Sequence, residues 1–139
     1  MKYLLDTCVI EELIKIRPNP DVIAFVDSLD HEDIFLSVIT VGEITKGIHL
    51  LNDPNRKREL EDWLRGFFLV RFDGHILPLD TAIFMRWGEL AAQMELLGLP
   101  PAPSIDSLIA ATALTHQMVL VTMNEDDFDA TGLEIVNPW

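Results

Sequence analysis

The segment Ile105–Thr122, with the sequence IDSLIAATALTHQMVLVT, decides the fold class of this 139-residue chain. Its first part, Ile105–His116, has the length and apolar pattern of a helix, and its last part, Met118–Thr122, is an apolar run of strand length. A strand that is apolar throughout is typical of a parallel sheet whose two faces are both covered by helices. We therefore predict an α/β protein.

The same alternation of short apolar runs and helix-length segments occurs along the rest of the chain. The predicted strands are Lys2–Asp6, Ile34–Ser37, Ile76–Leu79, Met118–Thr122 and a last strand near Glu134–Val136. The predicted helices are Thr7 to about Lys15, Asp21–Ser28, Ile39–Leu51, Arg56–Phe68, a helix capped by Asp80 that runs to Leu97, and Ile105–His116 capped by Ser104. Gly98 supplies a helix stop, and Leu99–Pro103 forms a rigid turn.

The composition is that of a compact domain. Hydrophobic residues make up 49% of the chain, and no repeat, linker or low-complexity segment divides it, so we predict a single domain over residues 1–139. The N-terminal MKYLLDTCVIEELIK lacks the pattern of a signal peptide, and no segment has the roughly 18 consecutive apolar residues of a membrane helix. Together with the single cysteine, Cys8, these features predict a cytoplasmic protein that does not contact a membrane.

The charge of the chain is strongly negative and unevenly distributed. The formal net charge is −13, which argues against a protein that holds nucleic acid through a basic surface alone. All ten Lys and Arg residues lie between Lys2 and Arg86, so the remaining C-terminal part has no basic Lys or Arg charge. Besides solubility, this pattern suits carboxylates that hold a divalent cation and a surface that attracts a basic protein partner.

Four acidic residues are predicted to meet at one edge of the sheet. Asp6 ends the first strand, Asp127 follows the strand Met118–Thr122, and Asp106 lies in the first turn of the preceding helix. Glu43, one turn into the helix after the second strand, can reach the same edge. Open parallel sheets bind their ligands beyond the carboxyl ends of the strands, where these loops and helix N-termini open.

Taken singly, these acids have structural explanations: a helix cap for Asp6, a favourable helix-dipole position for Asp106, a turn for Asp127 and a solvated helix position for Glu43. The helix face of Asp106 carries Ile109, Ala110 and Ala113, however, which directs the carboxylate inward. Inward carboxylates repel one another unless a cation neutralises them. Oxygen ligands favour Mg²⁺ or Mn²⁺ over Zn²⁺, and such a site supports phosphodiester hydrolysis.

At these residues the sequence resembles the PIN-domain family, and in particular the VapC-type toxins of bacterial toxin–antitoxin pairs. The strings that carry the resemblance are LLDTCVI at 4–10, LSVITVGEITKGI at 36–48, IDSLIAATA at 105–113, LVTMNEDDF at 120–128 and the final VNPW. Their order and spacing match the family over nearly the whole chain. The resemblance implies a three-layer fold, with a central, mostly parallel sheet flanked by helices, and a metal-dependent endoribonuclease that acts as a toxin.

The resemblance also implies roles for individual residues. The acidic residues that bind Mg²⁺ or Mn²⁺ and catalyse RNA hydrolysis match Asp6, Glu43, Asp106 and Asp127. The supporting positions match Thr7, Thr122 and Asn124. The spacing to Phe128 favours Asp127 over the neighbouring Asp126 as the metal ligand. Two positions depart from the family pattern, because Cys8 stands where Asn or Ser is common and Met123 stands where Arg is common.

The partners implied by the resemblance are an RNA substrate, a cognate antitoxin of the VapB type and a second copy of the chain in a homodimer. The basic residues expected near the RNA are Lys46, Arg56, Lys57, Arg58 and Arg65. A receiver domain also gathers Asp residues at strand ends, but it needs a Lys after a late strand, and a two-aspartate phosphatase needs Asp where Cys8 stands. A PIN-like module that binds partners without catalysis is the alternative function.

Overall fold

The computed structural model describes residues 1–100, 104–128 and 131–139. Within these residues, five strands form one sheet in the order β3-β2-β1-β4-β5, and every neighbouring pair is parallel. The strands are β1 (Tyr3–Leu5), β2 (Ile34–Ser37), β3 (Ile76–Leu77), β4 (Val119–Val121) and β5 (Ile135–Val136). Each lies within two residues of its predicted bounds, and the predicted α/β class with a parallel sheet is confirmed.

The helices are α1 (Thr7–Leu13), α2 (Pro20–Asp27), α3 (Val38–His49), α4 (Pro54–Trp63), α5 (Leu69–Arg71), α6 (Thr81–Leu96) and α7 (Ser104–His116). Asp80 caps α6 as predicted, because its Oδ1 accepts the N–H of Ile83 at 3.0 Å, and Gly98 has the positive φ of +70° that a helix stop needs. Ser104, predicted as the cap of α7, is its first residue. Residues 101–103 of the predicted turn lie outside the described residues. No helix in the described ranges is long and apolar enough to cross a membrane.

The segment predicted as one helix, Arg56–Phe68, differs from the prediction. The helix α4 begins earlier, at Pro54 after the capping residue Asp53, and a π-helical turn at Leu64–Phe68 separates it from α5. Four buried side chains stand four residues apart: Leu60, Leu64, Phe68 and Phe72. In an α-helix, four residues turn the chain by about 400°, which is about 40° more than one full turn, so side chains four residues apart move gradually around the helix. A π-helical turn contains more residues per turn and reduces this shift. The insertion therefore keeps the series on the core face.

Side chains that alternate along the strands build two cores, one on each face of the sheet. Leu5 and Val121 belong to the core that is covered by α1, α2, α3 and α4, whereas Leu4 and Leu120 belong to the core covered by α6 and α7. The alternation follows from strand geometry, because successive side chains point to opposite faces. The sheet is thus the middle of three layers, which confirms the layered fold that the resemblance implies.

The strand order creates a crevice between β1 and β4. From β1 the chain moves to β2 and β3 on one side of the sheet, and then it returns to β4 and ends at β5 on the other side. Parallel sheets open a ligand-binding crevice where this direction reverses. Because Leu5 pairs with Val121, the residues that follow them, Asp6 and Thr122, come side by side at this place.

Candidate active site

Asp6 follows β1 and caps α1 from a buried position. Its Oδ1 accepts the N–H of Thr7 at 2.8 Å, and its Oδ2 accepts the hydroxyl of Thr122 at 2.8 Å. The residue is 3% exposed. Burial raises the pKa of Asp6, the hydrogen bonds from Thr122 and Thr7 lower it, and the charge of Glu43 raises it again. Asp6 is therefore a buried carboxyl group whose two oxygens are held in one orientation across the crevice.

Glu43 approaches the same place from α3. The hydroxyl of Thr7 donates a hydrogen bond to Oε1 of Glu43 at 2.6 Å, and it lies 2.9 Å from the hydroxyl of the fully buried Thr40. The contacts arise because α1 and α3 begin directly after the neighbouring strands β1 and β2. The sequence pattern assigned no role to Thr40, and its one signal is its position one turn before Glu43.

Asp106 lies in the first turn of α7 and is half-buried. Its pKa is raised to about 6, first by burial and then by the charges of Asp6, Asp127 and Glu43. The fold thus brings the four predicted acids close enough to act on one another electrostatically. Asp127, in a 3₁₀ turn after β4, is the acid of its segment that raises the pKa of Asp106, whereas the neighbouring Asp126 does not contribute.

The four acids have no cationic partner within the described part of the chain. The ion pairs of Lys15, Arg56 and Arg86 in this part are formed with other acids. In the same ranges, no group of three or more His, Cys, Asp or Glu side chains converges closely enough to hold a metal ion as it stands. The crevice is therefore rich in uncompensated carboxylates without being a complete ligand shell.

Thr122 and Asn124 lie on the β4 side of the crevice. The hydroxyl of Thr122, which is fully buried, donates to Asp6 and accepts the main-chain N–H of Asn124 at 3.0 Å. Asn124 contributes to this arrangement through its backbone, and the residue itself is exposed. The two hydrogen bonds fix the start of the loop that leads to Asp127.

The two departures from the family pattern occupy different surroundings. The thiol of Cys8 lies 3.8 Å from Oδ2 of Asp6 and 3.6 Å from the hydroxyl of Thr122. Burial, followed by the charge of Asp6, raises the pKa of Cys8 to about 11, so the thiol is protonated at neutral pH. Met123 is 48% exposed at the rim of the crevice, where an Arg would add a positive charge.

A groove of about 540 Å³ runs along α3 beside the acids. We call it the α3 groove, and its lining includes Glu11, Gly42, Glu43, Lys46, Gly47 and Ile105. Lys46 is the cation among these residues. Sequence reasoning missed Glu11, whose pKa is raised by burial and then by the charges of Glu43 and Asp6. The signal that could have identified Glu11 is its position one helical turn after Thr7 on α1.

Of the basic residues that were expected near the RNA, Arg56 has a structural contact instead. Its Nη2 donates to the carbonyl oxygen of Ile14 at 2.7 Å, and its Nη1 lies 3.5 Å from a carboxylate oxygen of Glu59. The bond to Ile14 joins α4 to the residue that ends α1, whereas the contact with Glu59 lies within α4. Lys46 is the member of the expected set that lines the α3 groove.

Comparisons with known proteins give the family. The family profile described as PIN domain matches residues 3–133. The chain is 37% identical over 136 residues to Toxin FitB of Neisseria gonorrhoeae, covering 98% of this chain and 97% of that protein. It is 35% identical over 136 residues to VapC ribonuclease Y4jK of Sinorhizobium fredii, covering 98% of this chain and 96% of that protein.

A solved structure agrees with these sequence comparisons. The crystal structure of FitAcB from Neisseria gonorrhoeae matches with a TM-score of 0.94 at 36% identity, covering 99% of this chain and 98% of that chain. The match therefore includes the strands and helices that place the four acids at the crevice. The chain belongs to the PIN domain family.

Proposed function

We propose that this protein is an endoribonuclease that depends on Mg²⁺ or Mn²⁺ and acts as the toxin of a toxin–antitoxin pair. The observation that carries the proposal is the group of mutually interacting acids at the carboxyl edge of the sheet, without a cationic partner in the described part of the chain. The group consists of Asp6, Glu43, Asp106 and Asp127. Relatives named as a toxin and as a ribonuclease support the same class of activity.

The donor atoms of these acids fit a hard divalent cation. All of them are carboxylate oxygens, which Mg²⁺ and Mn²⁺ prefer to nitrogen or sulfur. Burial and mutual repulsion raise the pKa values of Asp6 and Asp106, and a bound cation would relieve both effects. Mg²⁺ retains several waters and takes one or two carboxylates directly, so a complete shell of side chains is not required. The ion would be held jointly by the four acids.

The groups around the acids would hold the carboxylates of Asp6 and Glu43 in a fixed orientation. A bound cation would activate a water molecule and stabilise the negative charge on the phosphate. The N–H of Thr7 and the hydroxyl of Thr122 hold the two oxygens of Asp6 in place, and the hydroxyl of Thr7 holds Glu43. Such preorganised carboxylates need no rearrangement when the substrate arrives.

The α3 groove is the proposed path of the RNA. Its lining includes Glu43 and also Lys46, which lies one helical turn further along α3. A volume of about 540 Å³ falls in the range of small-ligand sites, so it accommodates a nucleotide next to the acids. We propose that Lys46 contacts a backbone phosphate, because a single positive charge beside the acids attracts the RNA without reading its sequence. A homodimer would bring further basic segments around the same RNA.

The proposed regulator is a VapB-type antitoxin with a basic segment. The net charge of −13 and the lack of Lys or Arg after Arg86 give such a segment long-range attraction to this chain. A partner arginine can form two charge-assisted hydrogen bonds with a carboxylate. It would therefore compete with the metal ion for the same acids, and binding should weaken as the salt concentration rises.

The decisive experiment is cleavage of a single-stranded RNA mixture with Mg²⁺, with Mn²⁺ and with EDTA. We expect metal-dependent cleavage by the wild-type protein and its loss in Asp6→Asn and Asp127→Asn. Asp126→Asn is the matched control, because it removes an exposed acid next to Asp127 and should retain activity. Metal-independent cleavage, or full activity in Asp6→Asn, would contradict the proposal. A wild-type protein that binds RNA without cleaving it would favour the non-catalytic binding module.

Expression in a bacterial host tests the toxin role separately. The wild-type chain expressed alone should arrest growth, whereas Asp6→Asn at the same protein level should not. Normal growth with the soluble wild-type protein would reject the toxin role and leave the nuclease proposal to the cleavage assay.

A further inference from the structure

A chain of hydroxyl groups leads from the interior of the protein to Glu43. Thr40 is fully buried in the first turn of α3, and its Oγ1 lies 2.9 Å from Oγ1 of Thr7. Oγ1 of Thr7 in turn donates to Oε1 of Glu43 at 2.6 Å. The three groups therefore form a continuous series of two hydrogen bonds between α1 and α3.

The chemistry of the groups sets the direction of this series. An ionised carboxylate can only accept, so the single hydroxyl proton of Thr7 is used in the bond to Glu43. Thr7 must then accept in its contact with Thr40, and the proton between the two oxygens comes from Thr40. The series runs from Thr40 to Thr7 to Glu43. Without a donor at position 40, the hydroxyl of Thr7 would lose the bond that orients its lone pairs.

The hydroxyl of Thr40 differs from other helical threonine hydroxyls of this chain. Thr45, Thr112 and Thr115 each donate to the carbonyl oxygen four residues earlier, at 2.7, 2.8 and 2.7 Å. This is the usual bond of a threonine inside a helix. Thr40 lies in the first turn of α3, so the residue four positions earlier, Leu36, belongs to β2. Its hydroxyl bonds to a side chain of another helix instead.

We infer that Thr40 is a positioning residue for Glu43, acting through the hydroxyl of Thr7. The inference rests on the proposed nuclease function, because it assigns Thr40 a part in preparing that site. The bond from Thr7 occupies Oε1 of Glu43 and fixes the rotation of the carboxylate, which leaves Oε2 for the ion or the substrate. Residues that orient ligand side chains in this way typically change metal affinity or activity by roughly 10 to 100-fold when they are replaced.

The test compares Thr40→Ser with Thr40→Ala. Both replacements lose the same methyl group in the core, and they differ in the hydroxyl that the inference requires. We expect Thr40→Ala to lower kcat by at least about 10-fold with little change in KM, and Thr40→Ser to retain most of the wild-type kcat. Thr112→Val is the matched control, because Thr112 is equally buried and its hydroxyl bonds only within α7 among the described contacts. It should keep the wild-type kcat.

A second measurement does not depend on catalysis. Titration of each protein with Mn²⁺ alone, followed by the spin-resonance signal of the free ion, should show weaker binding by Thr40→Ala than by Thr40→Ser. If the wild-type protein cleaves RNA and the Ser and Ala variants have equal kcat and equal Mn²⁺ affinity, the inference is wrong while the proposed function stands. If the wild-type protein does not cleave RNA, the proposed function fails, and equal Mn²⁺ affinities would also overturn the inference.

Discussion

The charge of Asp106 lowers the stability of the folded chain, although the residue stands at a helix position that favours a negative charge. It lies in the first turn of α7, where the helix dipole favours a negative charge, yet its pKa is raised to about 6 by burial and by the charges of Asp6, Asp127 and Glu43. A raised pKa means that the ionised form is less stable in the folded protein than in the unfolded chain. At neutral pH without metal, the charge of Asp106 therefore reduces the free energy of unfolding.

Replacing Asp106 with Asn should stabilise the protein in EDTA. We expect an increase of about 1 kcal/mol in the free energy of unfolding at pH 7.5, since two pKa units correspond to about 2.7 kcal/mol and solvent screens part of it. Urea unfolding measures the change, with Asp126→Asn as a control that should gain little. An Asp106→Asn protein that is less stable than wild type in EDTA would contradict this account of the site.

Among the elements, α1 carries one of the site residues at its start and an anchor for the C-terminus near its end. Glu12 accepts hydrogen bonds from Nζ of Lys15 at 3.0 Å, from the N–H of Asn19 at 3.1 Å and from the indole of Trp139 at 3.2 Å. The bonds from Lys15 and then Asn19 are the main reasons that the pKa of Glu12 is lowered. The ionised carboxylate thus connects α1 to the loop after it and to the last residue of the chain.

Glu12→Gln should destabilise the protein at neutral pH and much less in acid. The folded pKa of Glu12 lies below its ordinary value, so its stabilising effect is present above that value and disappears as the pH falls through the folded pKa. Melting temperatures from pH 7.5 down to 3.5 should therefore converge for the variant and the wild type. Glu89→Gln, which removes an exposed partner of Arg86, should change them little at any pH. A pH-independent difference for Glu12→Gln would contradict this role.

The elements were predictable where a local chemical pattern determines them. The apolar run around β4, the cap Asp80 and the stop Gly98 are local patterns, and the structure has them. The π-helical turn at Leu64–Phe68 was not predicted, because it depends on which side chains reach the core. The strand order was not predicted either, since it depends on packing between distant segments.

The site shows the same division between local and distant information. The four acids could be assigned to one edge of the sheet from the sequence, because Asp6 and Asp127 follow predicted strands and Glu43 and Asp106 lie near the starts of predicted helices. The hydrogen bonds of Thr40 and the position of Glu11 depend on how closely α1 approaches α3, a distance that neither segment specifies alone. Arg56 was expected near the RNA because of its charge. Its hydrogen bond to Ile14 depends instead on how α4 packs against α1.

The molecule as a whole carries a net charge of −13, and this charge has two separable effects on stability. Self-repulsion of the surface acids is screened by any salt, with a range of about 10 Å at 0.1 M ionic strength. The acids at the crevice would respond to a divalent cation specifically, because binding to the folded state alone adds stability. Comparison of salts at equal ionic strength separates the two effects.

MgCl₂ should raise the melting temperature more than NaCl of the same ionic strength. At ten times the dissociation constant, binding contributes about 1.4 kcal/mol, which corresponds to roughly 3–6 °C for a chain of this length. Differential scanning calorimetry measures the shift. The excess over NaCl should vanish in Asp106→Asn, and an equal response of the two proteins to MgCl₂ would argue against a metal ion at these acids.

The hydrogen bond between Thr122 and Asp6 joins residues 116 positions apart, and this separation has a consequence for biosynthesis. A ribosome adds about 5 to 20 residues per second, so Thr122 is made about 6 to 23 seconds after Asp6. Until β4 has emerged and paired with β1, the growing chain lacks Thr122 and Asp127 beside Asp6 and Glu43. A nascent nuclease of this topology would therefore remain harmless to the messenger and the ribosome that produce it until β4 has joined the sheet.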